Sequence, residues 1–197
     1  MLRFFAQLQA EPDGEEGEAF VSRNHDVACP VLETERLRLR GHRVEDFDAF
    51  AAMWADAAVT RFIGGKPSTR EESWARLMRY PGHWSLLGFG YWLVEEKATA
   101  RLAGEAGFAD MKRDITPSLD GMPEAGWALA PWAHGKGFAS EAVKAIVAWG
   151  DAKFGGRTTA CMIDPQNAPS IRVAEKCGYR EFARTTYKAA PTILFRR

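Results

Sequence analysis

Pro131-Trp-Ala-His-Gly-Lys-Gly-Phe-Ala139 is the stretch on which the reading of this chain rests. Ahead of it, Glu124–Ala130 reads as a strand that stops at Pro131, a residue with no backbone N–H to continue a ladder. Behind it, helical spacing runs from Phe138 to Phe154, with Ala142, Val143, Ile146, Val147 and Gly150 on one apolar stripe. The stretch is therefore a glycine-bearing loop between a strand and an amphipathic helix. Gly135 and Gly137 let the backbone approach a ligand closely and adopt positive φ. The first amides of the helix point outward unpaired, and the macrodipole adds about half a positive charge there. Such a helix start suits phosphate groups, and Lys136 adds a point charge. Two spaced glycines fit a plain strand-to-helix turn equally well. Gly-Lys-Ser/Thr of a P-loop is missing, and so is the third glycine of a dinucleotide fingerprint, although Ala139 is small.

Working outward toward the C-terminus, Thr158–Ile163 reads as a buried strand. Asn167 is placed to cap a helix running to Cys177 and ending at Gly178, and Arg180–Tyr187 and Thr192–Arg196 follow as strands. Toward the N-terminus, Arg113–Gly121 is loop-like. Leu102–Phe108 and Tyr91–Glu95 form a hairpin about the polar break Glu96–Arg101. Ser68-Thr-Arg-Glu71 has the pattern of a capping box opening a helix through about Tyr80, with Trp74, Leu77 and Met78 on its inner face and a loop over 81–90. Asp46 to Asp56 places Phe47, Phe50, Ala51 and Trp54 at helical spacing. Arg36-Leu-Arg-Leu-Arg40 alternates as a half-buried strand whose arginines form its solvent face. Glu11 to Glu18 is acidic and rich in breakers, so 1–30 reads as a disordered arm ahead of one domain over 31–197. The element order is that of an α+β sheet holding a ligand at the strand–loop–helix step.

Bulk properties exclude several classes. A chain of 197 residues, 46% hydrophobic, supports one sizeable core. Lys+Arg and Asp+Glu balance at 26 each, which leaves no electrostatic footprint for nucleic acid or an anionic membrane. No apolar run approaches the roughly 20 residues of a membrane helix. The start, Met1 to Leu8, is too short and too soon polar for a secretory signal. Cys29, Cys161 and Cys177 are odd in number and lack metal-ligand spacing. They read as reduced thiols of a cytoplasmic protein, two of them buried, with no metal site.

The spread of motifs has a specific likeness. His134-Gly-Lys-Gly-Phe-Ala139 resembles the coenzyme A motif of the GNAT acyltransferase superfamily, usually Gln or Arg, two residues, Gly, one residue, then Gly or Ala. Trp132 and Ser140-Glu-Ala142 look like the branch that includes the ribosomal-protein N-terminal (alanine) acetyltransferases. Asp164-Pro-Gln-Asn-Ala-Pro-Ser170 with Ile171-Arg-Val-Ala-Glu-Lys-Cys-Gly-Tyr179, and the opening Leu32-Glu-Thr-Glu-Arg-Leu-Arg-Leu-Arg40, resemble other signatures of that branch. The resemblance spans about residues 32–197, with His134 standing where Gln or Arg is usual. It implies a mixed, mostly antiparallel sheet of about seven strands, splayed between strands 4 and 5, with about four helices. It implies acetyl-CoA as cosubstrate and direct transfer in a ternary complex to an amine, either a protein N-terminus or a small molecule. The sequence leaves monomer and homodimer equally open. The alternative is a non-catalytic coenzyme A-binding or sensor module. Carried onto this sequence, the coenzyme would lie along Gly126–Ala130 (Trp127, Ala128, Leu129) and on His134, Gly135, Lys136, Gly137, Phe138 and Ala139. Asn167 would bond the pantetheine amide, Ser170 would face the sulfur, and amides near Leu129 would donate to the thioester oxygen.

A Ser hydroxyl is too weak an acid to be the full proton source for a thiolate of ordinary pKa about 8.5, but it can stabilise developing charge by a hydrogen bond. For Asn167 and Ser170 the competing reading is helix capping. Glu124 and Glu105 are the candidate bases, directly or through a water, although each taken singly reads as a surface carboxylate. Cys177 falls at core spacing. His42 and His83 have no metal-like neighbours. Trp84 and Trp127 are candidates for lining an acceptor site, shaped by the loop 81–90 and the insert Lys112–Met122.

Overall fold

Alternating apolar and charged residues do form the first strands. In the computed structural model, which describes residues 29–197, β1 (Leu32–Glu33) and β2 (Leu37–Arg40) pair antiparallel, with Leu37 and Leu39 fully buried. The expected arm over 1–28 lies outside the described residues. Cys29 and Pro30 already belong to the domain: Trp92 Nε1 donates to the Pro30 carbonyl at 2.7 Å, and Cys29 packs on the core. A 3-10 turn (Val44–Asp46) leads into α1 (Phe47–Trp54), then the short α2 (Ala57–Thr60) and the long α3 (Arg70–Leu87). The hairpin β3 (Tyr91–Glu96) and β4 (Arg101–Ala109) is followed by β5 (Glu124–Leu129), α4 (Phe138–Phe154), β6 (Ala160–Ile163), α5 (Ala168–Lys176), β7 (Arg180–Tyr187) and β8 (Ala190–Arg196).

The eight strands form one sheet in the order β1-β2-β3-β4-β5-β6-β8-β7, antiparallel throughout except β5 against β6. The period of two along each strand sends side chains to two separate cores. On one face Trp92, Val94, Ala106, Phe108, Ala125 and Leu129 pack with Ala142, Val143 and Ile146 of α4. On the other, Ala128 and Ala130 pack with Phe50, Met53, Trp54, Leu77 and Tyr80 from α1 and α3. The stripe expected on α4 is buried as read, and Cys161 and Cys177 are buried in the first core.

Several expectations are corrected. The capping box is Thr69–Glu72, one residue later: Glu72 N–H donates to Thr69 Oγ1 at 3.1 Å, and Thr69 N–H to Glu72 Oε2 at 2.8 Å. The inner face of α3 is Ser73, Leu77, Tyr80 and Trp84, while Trp74 and Met78 are 38% and 41% exposed. Residues 81–87 are helical, not loop, and Pro81 sits inside α3. Pro81 removes one helical hydrogen bond, but Trp84 anchors the next turn. Its Nε1 donates to the Tyr91 carbonyl at 3.0 Å and its ring meets Trp92 edge-on at 4.6 Å. Trp84 is thereby a core residue, not a wall of an acceptor site. The arginines of β2 are not a plain solvent face either. Arg40 donates to both oxygens of Asp46 at 2.8 and 2.7 Å, with Glu95 beside it.

Candidate active site

β5 and β6 share a single register pair, Glu124 with Ala160, closed by Ala160 N–H donating to the Pro123 carbonyl at 3.1 Å. Beyond that pair the two parallel strands splay. The free edge of β5 follows from alternation. Ala130 N–H donates to the Ala103 carbonyl at 2.9 Å, on the β4 side, so the N–H groups of Trp127 and Leu129 face the gap. Leu129 presents its carbonyl to the same side, where His134 Nε2 lies 2.9 Å away. A carbonyl can only accept, so this contact makes Nε2 the protonated nitrogen.

Both parallel strands run into helices at the open end of the gap, and α4 packs against α5. Ligands of open α/β sheets commonly sit outside such strand ends. Between β5 and α4, a 3-10 turn (Pro131–Ala133) delivers His134, then Gly135 at φ +74° with open space beside it, and Gly137 at φ +80° as N-cap. No side chain caps this helix. Its first internal bond runs from Glu141 N–H to the Gly137 carbonyl at 3.1 Å, so the amides of Phe138, Ala139 and Ser140 have no intrahelical acceptor. Lys136 Nζ sits 4.6 Å from the Trp132 ring centre, beside the loop. Phe138 is buried and Ala139 packs against the core, so these two offer backbone, not side chain, to a ligand.

At α5, Asn167 Oδ1 accepts from Ser170 N–H at 3.2 Å. Asn167 thus caps its helix, which leaves its amide donors uncommitted to that bond. Ser170 lies in the first turn and is half-buried. Trp127 is half-buried against the α4 core.

The two candidate bases are both buried, contrary to the surface reading, because β4 and β5 are central strands covered by helices. Glu105 is 2% exposed and Glu124 8%. They project from the same sheet face, since Glu105 pairs with Ala128 and Glu124 with Ala109. Four residues of β5 separate Glu124 from Ala128, about 13 Å. Glu124 is gripped by Arg113, whose Nε and Nη2 donate to its two oxygens at 2.5 and 2.7 Å. Glu105 accepts from the Tyr80 hydroxyl on Oε1 at 2.5 Å, while its Oε2 has no hydrogen-bond partner within the protein. Burial raises the Glu105 carboxyl to about 6.

Sequence reasoning passed over the residues around Glu105. His42 Nε2 lies 3.9 Å from Oε2. Burial pushes His42 down to about 4, so near neutrality this contact is not an ion pair. Tyr91 stacks on Tyr80 with ring centres 5.0 Å apart and reaches across Gly126, where a Cβ would fall 1.9 Å from its hydroxyl. Arg76 lies with its guanidinium 3.7 Å over the Trp54 ring. Period two would have put Tyr91, Glu105 and Gly126 on one face, had the pairing register been known.

A glycine loop of free amides thus lies at the open end of a strand splay, with a half-free buried carboxylate on the neighbouring strand. The pattern of the acetyltransferase (GNAT) domain matches residues 36–180, and the chain belongs to that family. GNAT enzymes use acetyl-CoA, and the free amides of this loop fit its phosphates. A putative GnaT-family acetyltransferase from Bordetella pertussis is 32% identical at a TM-score of 0.76, over 85% of this chain and 99% of that one. The uncharacterized N-acetyltransferase p20 of Bacillus licheniformis is 28% identical over 77% of this chain and 83% of its own. A ribosomal L7/L12 alpha-N-protein acetyltransferase in complex with coenzyme A shares the fold at a TM-score of 0.70 and 14% identity, over 85% of this chain and 97% of that one. The family match and the first two of these relatives make the protein an N-acetyltransferase. Among the described residues, no cluster of His, Cys, Asp or Glu could hold a metal, and no helix is long and apolar enough to cross a membrane.

Proposed function

We propose that this enzyme transfers the acetyl group of acetyl-CoA to an amine, a protein N-terminus or a small molecule, in a ternary complex in the cytoplasm. The observation that carries the reading is the β5–β6 splay with the unpaired amides of the glycine loop at its open end. Acetyl-CoA supplies an acyl group activated as a thioester. The amides of Gly135 to Ser140 hold its diphosphate, and Trp127 and Leu129 line the gap for the pantetheine arm, with the Asn167 amide as a further donor; Ala128 turns its backbone to β4 and its side chain to the α1–α3 core. The Leu129 N–H donates to the carbonyl oxygen as negative charge builds there.

Glu105 is the base of this scheme. Its free Oε2 takes the proton of the attacking amine, directly or through a water, while the new C–N bond forms and the C–S bond breaks. Glu124 is less suited, because Arg113 occupies both its oxygens. Ser170 donates a hydrogen bond to the departing sulfur, helped by the N-terminus of α5. No covalent enzyme intermediate is required.

Mass spectrometry of peptide N-termini and small amines incubated with the protein and acetyl-CoA tests this. The expected result is an acetyl gain on at least one amine and its loss in Glu105→Gln. Tight binding of acetyl-CoA with no acetylated amine across a broad panel would favour the sensor reading instead.

A further inference from the structure

The segment Thr34-Glu-Arg36, just ahead of β2, reaches the first turn of α4 from outside the site. Three donors converge on Glu141. The Thr34 hydroxyl reaches Oε1 at 2.6 Å, the Arg36 backbone N–H reaches Oε1 at 2.9 Å, and Arg36 Nε reaches Oε2 at 2.8 Å. The same guanidinium donates from Nη1 to the Lys136 carbonyl at 2.9 Å and lies 4.8 Å from the centre of the Phe138 ring. One arginine therefore ties the middle of the glycine loop to the helix that follows it.

Two consequences follow from covalent geometry and charge. A trans peptide is planar, with its C=O and the next N–H pointing in opposite directions. Fixing the Lys136 carbonyl on Arg36 therefore aims the Gly137 N–H away from Arg36. Glu141 is also the one acidic residue in the first turn of α4, where a helix start attracts a carboxylate as it attracts a phosphate. The three donors hold that carboxylate against the Thr34–Arg36 segment, and they hold its acid strength up, with the pKa below the usual range despite burial.

We propose that Arg36 and Glu141 are positioning residues, a brace that sets the glycine loop for the coenzyme diphosphate without touching it. This rests on the coenzyme reading above. Arg36 is 45% exposed, and an ion pair so open to water contributes little to global stability. The brace should accordingly register in coenzyme affinity more than in melting temperature.

The test is calorimetry of the full chain with coenzyme A, together with steady-state rates on acetyl-CoA and on acetyl-pantetheine, which lacks the diphosphate. Arg36→Ala and Glu141→Gln should each weaken coenzyme A binding about tenfold, with the double variant no worse than about twofold beyond either single one. The KM for acetyl-CoA should rise at near-constant kcat, Arg36→Lys should recover part of the loss, and kcat/KM on acetyl-pantetheine should hold within about twofold. Wild-type binding with unchanged affinity in Arg36→Ala would overturn the brace alone. Equal losses on both acyl donors would overturn it too, by showing a general packing defect. Wild-type protein that ignored coenzyme A would overturn the coenzyme reading itself.

Discussion

The Tyr80 hydroxyl donates to Glu105 Oε1 at 2.5 Å, joining the middle of α3 to the central strand β4. That bond holds the carboxylate from one side and leaves Oε2 facing His42, whose Nε2 lies 3.9 Å away. A buried carboxyl with one committed and one free oxygen is suited to taking up a proton. One with both oxygens committed, as in Glu124, is suited to holding structure.

The rate of acetyl transfer should follow the ionisation of Glu105. With its carboxyl raised to about 6 by burial, kcat/KM should fall below that pH as the base becomes protonated. Glu105→Gln should lower kcat by about 100-fold or more at pH 8. A pH–rate profile of wild type and variant with any accepted amine checks both.

The same substitution should stabilise the fold near neutrality. The raised Glu105 carboxyl binds its proton more tightly in the folded chain than in the unfolded one. Its contribution is complete below 4.5 and is lost as the pH rises through about 6. The stability advantage of Glu105→Gln should thus grow by about 2 kcal/mol between pH 4.5 and 7.5. Urea unfolding at both pH values would show an unchanged difference if the carboxyl titrated normally.

Gly126→Ala should displace Tyr91. The new Cβ falls 1.9 Å from the Tyr91 hydroxyl but 3.1 Å from the ring carbon that bears it. Overpacking of this kind costs about 1–3 kcal/mol. Adding Tyr91→Phe removes the clashing oxygen and should restore most of the loss. Four-corner unfolding measurements would reveal additivity instead, if the two groups did not meet.

Gly137→Ala meets no steric obstacle, since the nearest atom to its Cβ is Arg36 Nη2 at 3.5 Å. The strain comes from φ +80° alone, about 1–2 kcal/mol for a residue with a side chain. Relaxing it would rotate the loop amides, so coenzyme A affinity should drop about tenfold or more. Calorimetry alongside urea unfolding separates the two effects.

The glycine loop, the stripe on α4 and the cap at Asn167 were legible in the sequence because each is a local pattern, set by period, capping chemistry or glycine φ within a few residues. The hidden parts are non-local. Nothing in Ser68–Leu87 says that Trp84 finds Tyr91 and Trp92 and carries the helix past Pro81. Neither Glu105 nor Glu124 reveals from its own neighbours which one an arginine occupies, because the packing of α3 and of the loops after β2 and β4 brings Tyr80, His42 and Arg113 to them. Arg36 reads as solvent face until the fold sets it against Glu141, 105 residues away. By itself the sequence determined most of the elements, their order and the glycine loop between β5 and α4, because backbone preferences act over one or two turns. Tertiary structure alone decided which carboxylate stays free and what holds the loop in place, because desolvation and hydrogen-bond partners depend on groups that only packing brings together.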